Sequence, residues 1–290
     1  MANRQFSQYL LNRGILSPEN AGRILAKSLS VTPEPFVLAL EKGLITSTQV
    51  EELPGGREFM VAALEENYLN ALQLDELRKA VPDRSSCLGQ VLLDEGIVDL
   101  DTLARLFEES KEEECHPVDD VIEAMLEAQN LDAQEYAYIQ EYVELFLKAM
   151  HKFMHTEALI LPNEDLDLVD ATYLTYQSMG GALCLTVGCR MTGSVLLAMA
   201  ARFSGEEHIQ VDEVAIDCIE EFCNVINGLY IVNMSGKSHD MDLDMPKTVE
   251  NGVPAGDNVF ALRVETEFGA FMLYISRDGF VLNEKNYFGW

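Results

Sequence analysis

Asp217-Cys218-Ile219-Glu220-Glu221-Phe222-Cys223-Asn224-Val225-Ile226-Asn227-Gly228 repeats apolar residues at the period of an α-helix. Cys218, Ile219, Phe222, Val225, Ile226 and Leu229 fall on one side, so the stretch predicts an amphipathic helix, spanning residues 211–234, with that side buried. Asp217, Glu221, Asn224 and Gly228 are spaced by 4, 3 and 4 residues. At 3.6 residues per turn they share an arc of about 60° facing away from the apolar side. Gly228 weakens a helix by about 1 kcal/mol relative to alanine, and it leaves room for another backbone to approach. Acidic and amide residues commonly line a solvated helix face, and periodicity alone does not separate such a face from a binding stripe.

Outward from this helix the pattern changes. Residues 133–155 predict a second long helix, with Tyr138, Tyr142, Leu145, Phe146, Ala149 and Phe153 near a common face. Residues 181–188, 193–199, 242–249, 259–267 and 270–276 read as strands, and Glu267-Phe268-Gly269-Ala270 reads as the hairpin turn between the last two. Two long helices set apart from runs of antiparallel strand predict an α+β domain over residues 131–290.

Residues 1–110 have a different, all-helical character. Leu10-Leu11-Asn12-Arg13-Gly14-Ile15-Leu16 recurs as Ala39-Leu40-Glu41-Lys42-Gly43-Leu44-Ile45, Ala63-Leu64-Glu65-Glu66-Asn67-Tyr68-Leu69 and Leu92-Leu93-Asp94-Glu95-Gly96-Ile97-Val98. Gly14 and Asn67 lie 53 positions apart, as do Gly43 and Gly96. Each copy reads as a helix ending at a left-handed cap, which favours Gly or Asn. Ser17, Thr46, Asn70 and Asp99 stand where an N-cap starts the next helix. The shared offset predicts a tandem duplication of a two-hairpin module. Residues 111–130, with Lys111-Glu112-Glu113-Glu114 and Pro117, read as a charged linker followed by a connecting helix over 118–128.

The formal net charge is −29. Through Asn130 there are 11 basic and 24 acidic residues, and 9 and 25 beyond it, so neither part offers a basic stripe. Nucleic acid and anionic membrane surfaces would both be repelled, which argues against either as a partner. No apolar run approaches the roughly 20 residues that span a bilayer, nor does the start read as a secretory signal, so the expected location is cytoplasmic. Cys87, Cys115, Cys184, Cys189, Cys218 and Cys223 form no CxxC pair and read as reduced, mostly buried thiols. His151 and His155 lie four apart, but no HExxH or CxxC pattern accompanies them; they read as a helix-surface pair, and no metal site is expected.

Asp217, Glu221 and Asn224, with Pro246 22 residues beyond Asn224, resemble the Asp/Ser-x-x-x-Glu-x-x-Asn signature of CheC, CheX and FliY phosphatases. Gly193-Ser194-Val195-Leu196-Leu197 resembles that family's strand before the helix, and residues 241–249 resemble its strand entry after it. The resemblance covers most of residues 135–278. It implies a CheX-like domain that removes phosphate from the aspartyl phosphate of a response-regulator receiver, with Mg²⁺ supplied by that receiver and no cofactor bound by this chain. It assigns catalysis to Asn224, which would orient the attacking water, and to Glu221, which would pair with a lysine of the receiver. Asp217 and Gly228 would be partner-binding. Glu144 and Leu147 occupy the places where a second ExxN site on the other long helix would need Asn, so one site per chain is implied, with a homodimer by analogy. A non-catalytic adaptor or sensor that binds a phosphorylated receiver is the alternative.

Residues 4–110 resemble the helical N-terminal domains of type II secretion and pilus-assembly ATPases, some of which bind cyclic di-GMP through an Arg-Leu-Gly-x-x-Leu-x-x-x-Gly pattern. Leu88, Gly89, Leu92 and Gly96 match it, but Cys87 and Gln5 stand where the arginines belong. Neither supplies the guanidinium fork such a ligand needs, so weak or absent cyclic di-GMP binding is expected.

Overall fold

The computed structural model describes residues 6–112, 116–127, 133–161, 170–256, 258–277 and 279–284. Gln5, Cys115 and the linker residues Glu113 and Glu114 lie outside these. The chain divides into two compact units, Met1–Asp120 and Val121–Trp290.

The first unit contains α1 (Phe6–Asn12), α2 (Pro18–Ser28), α3 (Pro35–Glu41), α4 (Ser47–Glu51), α5 (Phe59–Glu65), α6 (Ala71–Lys79), α7 (Arg84–Asp94) and α8 (Leu100–Glu109); α9 (Pro117–Glu127) spans the boundary. Gly14, Gly43, Asn67 and Gly96 all have positive φ, between 60° and 69°. At each, the cap N–H and the next N–H bond back to helix carbonyls in one repeated pattern, such as Gly96 N–H to Leu93 O and Ile97 N–H to Leu92 O. Asp99 caps the following helix through Thr102 N–H, and Thr46 and Asn70 form reciprocal capping boxes with Gln49 and Gln73. Nothing lies within 4 Å of where a Cβ at Gly96 would sit, so backbone conformation alone demands glycine there. Gly96→Ala should therefore destabilise the first unit by about 1–2 kcal/mol, the left-handed penalty. Urea unfolding followed by circular dichroism measures it, and an unchanged midpoint would contradict the cap.

Gly89 has another reason. A Cβ there would come within 2.6 Å of Phe107 Cζ, so this glycine seats α7 against α8. Leu88 and Leu92 are buried beside it. The three positions that match the nucleotide-binding pattern within α7 are therefore packing positions.

The second unit contains α10 (Ala133–Met154), β1 (Leu159–Leu161), β2 (Tyr173–Gly181), β3 (Leu185–Met191), α11 (Gly193–Ser204), α12 (Glu213–Ser235), β4 (Met241–Leu243), β5 (Lys247–Glu250), β6 (Gly252–Ala255), β7 (Val259–Thr266), β8 (Gly269–Ser276) and β9 (Val281–Glu284). Its antiparallel sheet runs β1-β7-β8-β3-β2-β4, with β5 also on β2; β6 and β9 form a separate ribbon. The α+β class is borne out. Along β8, Phe271, Leu273 and Ile275 are buried with the helices, and Phe271 meets Phe146 of α10 edge-on at 6.0 Å. Met272, Tyr274 and Leu174 face the other way and pack with Phe280 and Leu282.

Residues 193–199 are not a strand. They begin α11, which Thr192 caps through Val195 N–H at 3.3 Å and which ends at left-handed Gly205. Leu196, Leu197, Ala198, Met199, Ala200 and Ala201 are strong helix formers, and that composition outweighs the short apolar run. Residues 242–249 are not one strand either: β4 and β5 are separated at Asp244-Met245-Pro246, where proline has no N–H for the ladder. The thiols are less buried than expected, since Cys184 is exposed and Cys87 and Cys218 are half-buried. His155 lies one residue past α10, at φ 51°, so it shares no helix face with His151. No helix among the described residues is long and apolar enough to cross a membrane.

Candidate functional site

Asp212 starts α12 by accepting Ala215 N–H at 3.0 Å, and that bond holds its carboxyl below the usual range. The helix buries Ala215, Ile219, Phe222, Cys223, Ile226, Asn227, Tyr230 and Met234. This face is rotated from the expected one. Leu229 is 41% exposed, Cys218 and Val225 are half-exposed, and Asn227 takes a place among the buried residues. The reason is that the helix packs along β2 against polar Gln177, so the buried arc includes the amide of Asn227.

Asp217 and Glu221 are exposed, and Asn224 and Gly228 are half-exposed on the same side. The structure thus places all four on one helix face. A Cβ on Gly228 would meet nothing within 4 Å outside its own helix. The missing side chain is not needed for packing within this chain. Val214 (59% exposed) and Val232 (68% exposed) run beside the stripe with Leu229.

Asn224 is held by hydrogen bonds that begin deep in the unit. Tyr142 Oη of α10 donates to Asn227 Oδ1 at 2.7 Å. Asn227 Nδ2 donates to Gln177 Oε1 at 2.8 Å. Gln177 Nε2 donates to the Asp244 carbonyl at 2.7 Å and to Asn224 Oδ1 at 3.1 Å. Asn224 Nδ2 then donates to Glu221 Oε2 at 3.2 Å. Burial holds the Tyr142 phenol well above its ordinary range, so it remains a proton donor. The Asp244 carbonyl is free for Gln177 because the chain leaves the edge strand there: Asp244 N–H still reaches Ser178 O at 2.9 Å, but Pro246 ends the ladder. Gln177 was absent from the sequence reading, and Tyr142 and Asn227 entered it only as members of their helices, with no part in the site. Asn227 lies outside the apolar arc that the period picks out, so its burial is visible only in the structure.

A carboxamide has two donor hydrogens and two acceptor lone pairs. Asn224 uses one of each within the chain, which leaves one N–H and one lone pair for a water at the surface. A cleft of about 280 Å³ lies nearby, lined by Tyr176, Gln177, Ser178, Asp244, Met245 and Lys247. Among the described residues no group of three His, Cys, Asp or Glu is placed to hold a metal ion.

No family model and no curated protein sequence matches the chain. Several solved structures are similar to about half of it. The chemotaxis protein CheX from Desulfovibrio desulfuricans is 12% identical over 51% of this chain and 99% of its own, with a TM-score of 0.42. CheX from Vibrio vulnificus is 13% identical over 48% and 98%, at 0.43. The CheX–CheY–BeF3–Mg complex from Borrelia burgdorferi contributes a chain 15% identical over 48% and 96%, at 0.38.

Proposed function

We propose that the second unit is an aspartyl-phosphate phosphatase whose substrate is the phosphorylated receiver domain of a response regulator. The observation that carries this reading is the exposed helix face on which Asn224 is oriented from beneath while keeping one donor and one acceptor free. Small-molecule substrates are usually enclosed in concave sites of about 300–1,000 Å³. A reacting group brought to an exposed helix face is more naturally presented by another macromolecule. An acyl phosphate suits this arrangement because it is already activated. Water attacks phosphorus in line, the bond to the aspartyl oxygen breaks, the carboxylate leaves with its electron pair, and the water proton passes to the departing phosphate. Mg²⁺ held by the receiver would offset the charge. The chain then has to position the water, and a carboxamide does so without ionising.

Glu221, one turn from Asn224, supplies an exposed carboxylate for a cationic group of the receiver, which would fix the docking register. Asp217 adds charge on the same side, and bare Gly228 admits the partner's backbone. The test is loss of phosphoryl label from receiver domains encoded in the same genome, with and without the full chain. Acceleration is expected for a cognate receiver. Tight binding of a receiver trapped in its phosphorylated form, without turnover, would select the adaptor reading, and no binding to any receiver would remove both. Glu221→Ala should raise KM for the receiver roughly tenfold, the worth of one charge-assisted contact. Glu220→Ala should change it little.

A further inference from the structure

Gln177 and Asn227 are each 1% exposed, and both are polar amides set between helix and sheet. An apolar pair of similar shape would avoid desolvating two carboxamides, which are costly to bury unless fully bonded. Every bond they make belongs to the path that ends at Asn224. The path also has a fixed polarity. The Asp244 main-chain carbonyl only accepts, so it forces Gln177 to turn Nε2 toward it. Nε2 is then also the atom that faces Asn224, so Asn224 must turn Oδ1 inward and Nδ2 outward, toward Glu221 and solvent. Gln177 Oε1 then accepts from Asn227 Nδ2, which turns Asn227 Oδ1 toward the Tyr142 hydroxyl, and that hydroxyl donates to it. The Asp244 carbonyl thus sets the polarity of the whole path, and the Tyr142 hydroxyl, which can donate or accept, is compatible with it.

We propose that Gln177 is a positioning residue that sets which edge of the Asn224 carboxamide faces the attacking water, with Asn227 holding Gln177 in register. This rests on the reading of Asn224 as the water-orienting group. Gln177→Met keeps the side-chain length but removes both the donor and the acceptor, which frees Asn224 to rotate. Gln177→Glu is closer still in shape, but its carboxylate would face the Asp244 carbonyl and Asn224 Oδ1 with no proton to give.

The experiment uses the full chain, the receiver domains of the same genome phosphorylated with acetyl phosphate and Mg²⁺, and Asn224→Ala as the reference variant. Both Gln177 variants should lower kcat by about tenfold to 10²-fold, as misplacement of a reacting group does, with KM for the receiver unchanged. The Asn224 side-chain amide signals in ¹⁵N NMR should shift or broaden in both, while backbone signals of α12 away from the site stay in place. Should Gln177→Met fail to fold, Asn227→Leu tests the same path from the helix side, with the same kcat loss and NMR change expected. If Asn224→Ala loses turnover but the Gln177 variants keep wild-type kcat, the positioning inference is overturned and the phosphatase reading stands. A raised KM with unchanged kcat also overturns it, because Gln177 would then serve docking. If Asn224→Ala itself keeps wild-type turnover, or no receiver is turned over, the phosphatase reading fails and takes this inference with it. Unmoved Asn224 amide signals in Gln177→Met overturn the orienting role whatever the kinetics.

Discussion

Asn224→Ala is expected to lower receiver dephosphorylation by about 10²-fold or more, the scale of losing an aligned reacting water. Truncation removes the one free donor and one free acceptor that the site offers. It should leave the fold intact, because Gln177 Nε2 keeps one of its two N–H bonds, to the Asp244 carbonyl at 2.7 Å, and the half-exposed place of the Asn224 side chain opens to water that can accept the other. Stability should fall by only about 1 kcal/mol, the net worth of one hydrogen bond. Asn224→Asp should be as poor a catalyst. Its carboxylate lacks the N–H and would sit beside Glu221 while facing a phosphoryl group. Loss of label from a cognate phosphorylated receiver measures turnover, with circular dichroism as the fold control. Wild-type turnover by Asn224→Ala would mean that water is positioned by another group.

Phe222→Ala should have the largest effect on stability, about 3–5 kcal/mol. The ring is fully buried and stands where three helices meet: it lies 6.2 Å from Phe146 of α10 and 5.6 Å from Phe203 of α11. Phe146 in turn meets Phe271 on the sheet. Removing the ring opens a cavity that three helices anchored on one sheet have little freedom to fill. Because Phe222 directly follows Glu221, turnover should fall together with stability. Denaturant unfolding gives the size of the effect, and a loss below about 1 kcal/mol would show that the helices repack easily around the gap.

The residues of the stripe were legible because helical period is a local property. Asp217, Glu221, Asn224 and Gly228 fall into line from spacing alone, and the structure places them on one face. The left-handed caps at Gly14, Gly43, Asn67 and Gly96 were legible for a similar reason, since a positive φ leaves its mark at a single position. What supports Asn224 was not legible. Gln177 lies 47 residues earlier, in β2, a strand the sequence reading missed altogether. Its pairing with α12 arises from tertiary packing, which period does not report. The strand expected at 193–199 failed because a short apolar run fits a strand or a buried helix equally well. The Thr192 cap and the alanines that follow decide between them. Pro246 was noted only as part of a motif; its physical effect, ending an edge strand so that a carbonyl turns to Gln177, needed the sheet register.

The first unit closes on itself. Tyr9 Oη reaches Glu109 at 2.5 Å, Asn12 Nδ2 reaches the Pro117 carbonyl at 2.8 Å, and Glu34 N–H reaches Gln90 Oε1 at 2.8 Å. Arg23 and Lys27 both pair with Glu95. Each bond joins the first copy to the second copy or to the segment that follows it. The two halves of the unit are therefore tied to one another by side-chain bonds. One copy cut out alone would lose the partners that cover it. Because the beginning and end of the unit are neighbours in space, the kinetic consequence is that its helices can form early while the decisive step is a ring closure across about a hundred residues, slow for an all-helical fold. The same closeness means that new termini opened at an exposed hairpin, with the old ones joined by a short linker, should preserve the unit.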